Sequence, residues 1–262
     1  MDKKPILFIH GLWIHASSWL PWMEFFRQYG YDSLNPGWPG EGETVALSRA
    51  NPGAAAGRGV REIADNYASV IATMKESPII IGHSFGGLIT QILLSSGLGA
   101  AGIAIDPAPI KGVWQLPLSA LRASFPVLSN PFNLNKAVSL SFSQFRYGFG
   151  NAIPEAEAKE LYDRLTIPSP ARPLFQAALA SLAGNETKAD TTNSKRGPLL
   201  ITGGSKDHIA PPILGKASAK KYNKGVITEF KMFDGRGHSL ASDHGWKDLA
   251  EYALSWLNSK GF

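Results

Sequence analysis

Apolar residues in this chain fall into two kinds of pattern. Short unbroken runs lie at residues 5–10, 78–82, 101–106 and 198–203, and they carry Ile6-Leu7-Phe8-Ile9, Ile79-Ile80-Ile81, Ile103-Ala104-Ile105 and Leu199-Leu200-Ile201. Runs without alternation suit parallel strands buried on both faces. A weak strand pattern occupies 31–35, and 226–233 reads as a further strand. Between these runs, apolar residues recur at helical spacing. This predicts helices over 19–29, 60–75, 86–96, 209–222 and 246–257, the first stopped by Gly30. Strands alternating with helices predict an α/β fold, with a mostly parallel central sheet and helices on both faces.

Residues 107–196 break the alternation and are far too many for an ordinary connection. They hold Trp114, Phe125, Phe132, Phe142, Phe145, Tyr147, Phe149 and Phe175 among many prolines and serines. The expectation is a mostly helical insertion packed over one end of the sheet. The core is then 1–108 and 196–262, and the cap or lid 109–195.

Composition narrows the chemistry. The chain has 262 residues, 44% hydrophobic and 18% charged, which fits a globular domain. With no cysteine, disulfides, thiolate catalysis and zinc–thiolate sites are excluded. The net charge of +5 is scattered in pairs such as Lys3-Lys4 and Lys195-Arg196, so nucleic-acid binding is not expected. No apolar stretch approaches about eighteen residues and no signal-peptide pattern opens the chain. These features predict a soluble, cytoplasmic protein without a membrane span. The six histidines show no metal-binding spacing, so neither a metal nor an organic cofactor is expected.

The segment Gly82-His83-Ser84-Phe85-Gly86-Gly87 follows a buried-strand pattern and precedes a helix pattern. A sharp strand-to-helix turn lifts a serine hydroxyl clear of the backbone and crowds the residues two before and two after it, so both must be small. Ser84 is therefore the candidate nucleophile. A serine hydroxyl needs a base, and His238 stands in the glycine-rich loop Gly235-Arg236-Gly237-His238-Ser239 after the last strand. His244 reads as a capping or surface residue. An acid must hold the imidazole. Asp207, after the strand at 198–203, is the first choice, and Asp106, at the end of the strand at 101–106, is its rival. Asp234 and Asp243 read as a turn residue and an N-cap. A tetrahedral oxyanion needs two aimed donors: the backbone N–H of Phe85 and one from His10-Gly11-Leu12-Trp13, with Leu12 first and Trp13 second. Trp13, Trp38, Trp114 and His83 are candidates for a substrate pocket, although most of the aromatics in 107–196 are expected to form that segment's own core.

Together, His10-Gly11 followed by Trp19, the Gly82–Gly87 motif, Asp207 followed by Pro211, and Gly237-His238 resemble the α/β-hydrolase family, in the branch of serine esterases, lipases and cofactor-free haloperoxidases. The resemblance spans nearly the whole chain in family order. It implies a catalytic triad, a nucleophile elbow, an oxyanion hole and a helical cap, and hydrolysis of a small-molecule ester with an apolar portion through an acyl-enzyme. Two other readings share these residues: a non-hydrolytic enzyme on the same triad (hydroxynitrile lyase, C–C hydrolase or perhydrolase), and a ligand-binding receptor of the same fold.

Overall fold

The computed structural model describes residues 3–180, 182–223 and 225–262. In chain order, β1 (Ile6–Ile9), α1 (Leu20–Arg27), β2 (Ser33–Leu34), α2 (Val45–Ala50), α3 (Val60–Ala72), β3 (Ile79–His83), α4 (Phe85–Ser95) and β4 (Ala101–Ile105) form the first half. The long segment follows, with α5 (Leu118–Leu128), β5 (Ala137–Val138), α6 (Phe142–Gly148), α7 (Glu155–Leu165), β6 (Ser169–Pro170) and α8 (Arg172–Leu179). The chain closes with β7 (Leu199–Gly204), α9 (Pro212–Lys221), β8 (Thr228–Phe233) and α10 (Trp246–Ser259).

Six strands form one parallel sheet in the order β2-β1-β3-β4-β7-β8. Strands β1, β3, β4 and β7 are buried throughout. Their alternating side chains feed two separate cores. Ile6 and Phe8 pack with Trp19, Trp22, Phe26 and the α10 residues Leu249, Ala253 and Leu257 on one face. Leu7 and Ile9 pack with Ile63 and Tyr67 of α3 and Leu88 and Ile92 of α4 on the other. Connections from β1 run first to one side of the sheet and then to the other, so a topological switch point lies between the C-terminal ends of β1 and β3. Ligands settle at such points in open α/β sheets.

Several local details differ from the expectations. The strand at 31–35 contracts to Ser33–Leu34. Helix α2 was not foreseen; it starts because the Thr44 side chain accepts the N–H of Leu47. Helix α9 begins at Pro212 rather than 209, because the N–H groups of Ile209 and Ala210 are turned onto the Asp207 carboxylate. Asp243 is not an N-cap. It is buried against Arg236, and Gly245 caps α10.

The long segment is mostly helical, with one short antiparallel pair, β5 and β6. Its neck is a backbone bond from Lys111 N–H to Thr187 O at 3.1 Å. A second attachment joins it to the loop after β1. Ile167 N–H donates to Trp13 O at 3.0 Å, His15 N–H to Leu165 O at 3.0 Å and Trp13 N–H to Ser169 Oγ at 2.7 Å. Of its aromatics, Phe145 and Phe149 are buried, whereas Trp114, Phe125 and Phe132 are 63%, 67% and 78% exposed. Among the described residues, no helix is long and apolar enough to cross a membrane.

Candidate active site

Ser84 sits on the turn between β3 and α4 at φ 57° and ψ −120°, a conformation that side-chain-bearing residues rarely adopt. Its own N–H donates to Ile105 O at 2.9 Å and its carbonyl accepts from Ala108 N–H at 3.1 Å, so neighbouring β4 holds the strained turn in place. The flanking glycines are sterically required. A Cβ on Gly82 would lie 2.2 Å from Gly86 O, and one on Gly86 would lie 2.1 Å from Ile9 O. Gly11 is equally constrained, since its Cβ would fall 2.6 Å from Ser84 Cβ.

His238 reaches this serine from the loop after β8. Its Nε2 lies 2.9 Å from Ser84 Oγ, and its Nδ1 lies 2.7 Å from Asp207 Oδ2. All three side chains are buried. Asp207 Oδ1 accepts the N–H groups of Ile209 at 2.7 Å and Ala210 at 2.9 Å. Burial by itself would raise the Asp207 carboxyl, but the charge and hydrogen bond of His238, with further hydrogen bonds, outweigh it and hold Asp207 below the usual carboxylate range. The loop bearing His238 is tied down on two sides. His83 Nε2 donates to His238 O at 2.8 Å, and Trp22 Nε1 donates to Ala241 O at 2.8 Å. Burial, then the nearby His238 charge, pushes His83 down to about 3, so it is a neutral donor at ordinary pH.

Asp106 meets the same cluster from the end of β4, at φ 42°. Its carboxyl accepts the Gly204 N–H at 3.1 Å. Burial, reinforced by the Asp207 charge beside it, raises Asp106 well above the carboxylate range. The two rivals for the acid thus separate: Asp207, its carboxyl lowered, meets the imidazole at 2.7 Å, and Asp106, its carboxyl raised, lies behind it. Ligand atoms of Asp106, Asp207 and His238 lie within 4.8 Å of one another. Both nitrogens of His238 are already engaged, with Asp207 and with Ser84.

Among the described residues, neither the Phe85 N–H nor the Leu12 N–H meets a backbone acceptor, whereas the Trp13 N–H is bound to Ser169 Oγ. That leaves Leu12 rather than Trp13 as the free donor of the loop after β1. A cavity of about 240 Å³ opens in front of Ser84, walled by Phe85, Ala108, Leu121, Leu128, Leu174, Ala177, Ile209 and Leu214. Among the described residues, no charged side chain lines it.

The four pocket candidates lie elsewhere. Trp13 is buried, with its ring N–H bonded to Val138 O at 2.9 Å. Trp38 stacks on His10 with ring centroids 5.2 Å apart. Trp114 projects outward, and His83 supports the His238 backbone. Aliphatic residues of α5, α8 and α9 form the wall instead, because these helices turn their apolar sides toward the serine. Glu41, which the sequence reading passed over, is buried between His10 and His15. Its only sequence signal was a carboxylate within a proline- and glycine-rich loop.

Comparison with known proteins agrees with this architecture. Residues 6–252 match the model of the alpha/beta hydrolase family. A curated relative, (E)-2-((N-methylformamido)methylene)succinate hydrolase of Acinetobacter baylyi, is 32% identical over 90 residues, which is 34% of this chain and 31% of that protein. Among solved structures, a monoacylglycerol lipase from Paleococcus ferrophilus superposes with a TM-score of 0.68 at 21% identity, covering 98% of this chain and 96% of that one. The methylesterase MES16 from Arabidopsis gives 0.66 at 14% identity, over 98% and 99%. An extracellular alpha/beta-hydrolase from a Paenibacillus species gives 0.70 at 20% identity, over 97% and 98%. The sheet order, the glycine-walled turn and the match along nearly its whole length establish that the chain belongs to the alpha/beta hydrolase family.

Proposed function

We propose that this protein is a serine hydrolase that cleaves a carboxylic ester with an apolar portion through a Ser84–His238–Asp207 triad. The observation that carries the reading is the unbroken hydrogen-bonded line from Ser84 Oγ through His238 to Asp207, at 2.9 and 2.7 Å. Ser84 Oγ attacks the ester carbonyl while His238 Nε2 takes its proton. The oxyanion is met by the N–H groups of Phe85 and Leu12, and the α4 N-terminus adds positive dipole at the same place. Asp207 stabilises the imidazolium, which then protonates the leaving alcohol. Water repeats the cycle on the acyl-enzyme.

The uncharged cavity beside Ser84 favours an apolar acyl or alcohol group. The Acinetobacter relative is named for a succinate derivative; a dicarboxylate finds no cationic side chain in this cavity wall, so the proposal does not extend to that substrate class. Residues 109–195 act as the lid that shapes the cavity. A cytoplasmic location is proposed on the cysteine-free sequence alone.

The test is labelling with a fluorophosphonate probe, peptide mapping, and turnover of p-nitrophenyl butyrate. The expected outcome is a single label on Ser84 and ester turnover that disappears in Ser84→Ala. A label on another residue, no label, or turnover of cyanohydrins without turnover of esters would overturn the reading.

A further inference from the structure

His10 and Glu41 form a buried pair beside the nucleophile that the triad does not use. His10 Nε2 faces Glu41 Oε2 at 2.9 Å, somewhat off the ideal hydrogen-bond line, and both side chains are almost fully buried. His10 Nδ1 lies 2.9 Å from Gly11 O. A carbonyl oxygen and a carboxylate only accept, so both ring nitrogens face acceptors and these surroundings favour the imidazolium. The Trp38 ring stacks against it. Glu41 is itself fixed, because its Oε1 accepts Ala16 N–H at 2.9 Å.

The consequence lies in the next peptide. The carbonyl and the N–H of a planar trans peptide point to opposite sides. With Gly11 O held by His10, the Leu12 N–H of the same peptide is aimed away from His10. Gly11 is packed against Ser84 closely enough that a Cβ would collide with it. A cation on the carbonyl side also polarises the peptide and strengthens its N–H as a donor. Resting on the reading of Ser84 as nucleophile, we infer that His10 and Glu41 are positioning residues that orient and polarise the Leu12 N–H for the oxyanion.

Electrostatics are consistent with this. Burial would lower His10, but the charge and hydrogen bond of Glu41, with the Gly11 and Ile14 carbonyls, outweigh it and raise the ring above its ordinary value. Three further ionisable groups, His15, Tyr67 and His83, lie near the pair. Glu41 comes from the loop after β2, and His15, 3.4 Å from Glu41, from the loop after β1. Tyr67 comes from α3 and interacts with the Glu41 charge, and the His10 charge in turn helps to lower His83 of β3. His15 accepts Ser17 N–H at Nδ1 and faces Gly42 O with Nε2, so it anchors the loop rather than competing for the Gly11 carbonyl.

The experiment compares wild type, Glu41→Gln and His10→Asn, the last keeping a neutral N–H donor near the place of Nδ1. Each is checked for fluorophosphonate labelling at Ser84 and for its melting profile. Then kcat and KM for p-nitrophenyl butyrate and the Kd of an alkyl boronic acid, which mimics the tetrahedral state, are measured. The expected result is labelling in every variant and an unchanged KM. Glu41→Gln loses about tenfold in both kcat and boronate affinity, short of the 10²–10³ that follows loss of a whole oxyanion donor. His10→Asn loses less than His10→Ala, made and assayed alongside it. In wild type, kcat declines on the alkaline side as His10 loses its proton, and this decline is missing from Glu41→Gln. Unchanged kcat and boronate affinity, or a loss confined to KM, would overturn the inference while leaving Ser84 as nucleophile. Absence of label in wild type would instead sink the underlying reading. If Glu41→Gln melts below the assay temperature, the wild-type profile decides: an alkaline fall in kcat at constant KM supports the pair, and a flat profile rejects it.

Discussion

The loops at the C-terminal edge of the sheet and the long segment above them are built on opposite physical terms. At the sheet edge, Ser84, His238, Asp207, Asp106 and His83 are all buried, and each is held by named donors or acceptors. Buried polar groups of this kind are tolerated only when partnered, and once partnered they are rigid. In the long segment, Trp114, Leu116, Leu118, Phe125 and Phe132 are mostly exposed, while the side of α5 facing Ser84 walls the cavity. On the proposed function the two regions would have different jobs: reactivity set by hydrogen-bond geometry that tolerates little change, and selectivity by apolar packing that tolerates much.

The largest expected effect separates the two aspartates. Asp207→Asn leaves the imidazole in the wrong tautomer and should lower kcat by roughly 10⁴. Asp106→Asn alters only the raised carboxyl behind Asp207 and should lower kcat by less than about tenfold. Steady-state kinetics on purified variants checks both, and equal losses would erase the distinction drawn between the lowered and the raised carboxyl. Next comes the cavity wall. Ala177→Phe narrows the space in front of Ser84 and should reduce the ratio of kcat/KM for p-nitrophenyl octanoate over acetate by roughly ten- to a hundredfold, with acetate turnover nearly retained. A parallel loss on both esters would show that the segment shares in the chemistry.

A pH effect follows in size. Asp106 has a folded value raised above its ordinary 3.8, so the folded state binds that proton more tightly than the unfolded state. The stability this contributes is present below the unfolded value and is lost as pH rises towards the folded one. Asp106→Asn carries no such dependence, so its melting temperature should gain on that of wild type as pH rises above the ordinary carboxylate value. Calorimetry at several pH values checks this, and an Asp106→Asn variant that falls further behind wild type, or keeps a constant offset from it, as pH rises would contradict a raised Asp106. Smallest is the outer face of the long segment, where Leu118→Ser or Phe132→Ser should change stability by no more than about 0.5 kcal/mol. Chemical denaturation measures it; a larger loss would mean these exposed side chains are packed.

Much of this was legible in the sequence, for reasons that can be named. The β-branched run ending in Gly82 and the glycines around Ser84 describe a local steric problem, and local problems are visible in a linear pattern. His238 could be found because glycines in a loop after a strand mark backbone that must come close to something. The choice between Asp106 and Asp207 was harder, because both follow strand ends and only the register of adjacent β4 and β7 brings them into contact. Glu41 left no pattern, since its partners lie 31 and 26 residues upstream and meet it only through the fold. The tryptophans misled because a large aromatic ring is as useful in a core as in a pocket: Trp38 shields a buried ion pair, and Trp13 locks the loop after β1 to the segment above. β5 and β6, two residues each with a proline in one, are too short for periodicity to register.

The single rung between Lys111 and Thr187 makes the intervening stretch a modular attachment. Its two ends meet before the chain returns along α4, where the Ser95 hydroxyl accepts the Asp190 N–H. A replacement stretch of different length or sequence must satisfy that rung, the strip from Leu165 to Ser169 that clasps the loop after β1, and the bonds by which Arg49, Val60, Lys206, His208 and His244 hold Tyr162–Thr166, Gln176, Asn151, Tyr147 and Glu157. Exchange of this stretch therefore offers a route by which one reactive centre acquires new specificities, in nature or in the laboratory, without any change to the residues that perform the reaction.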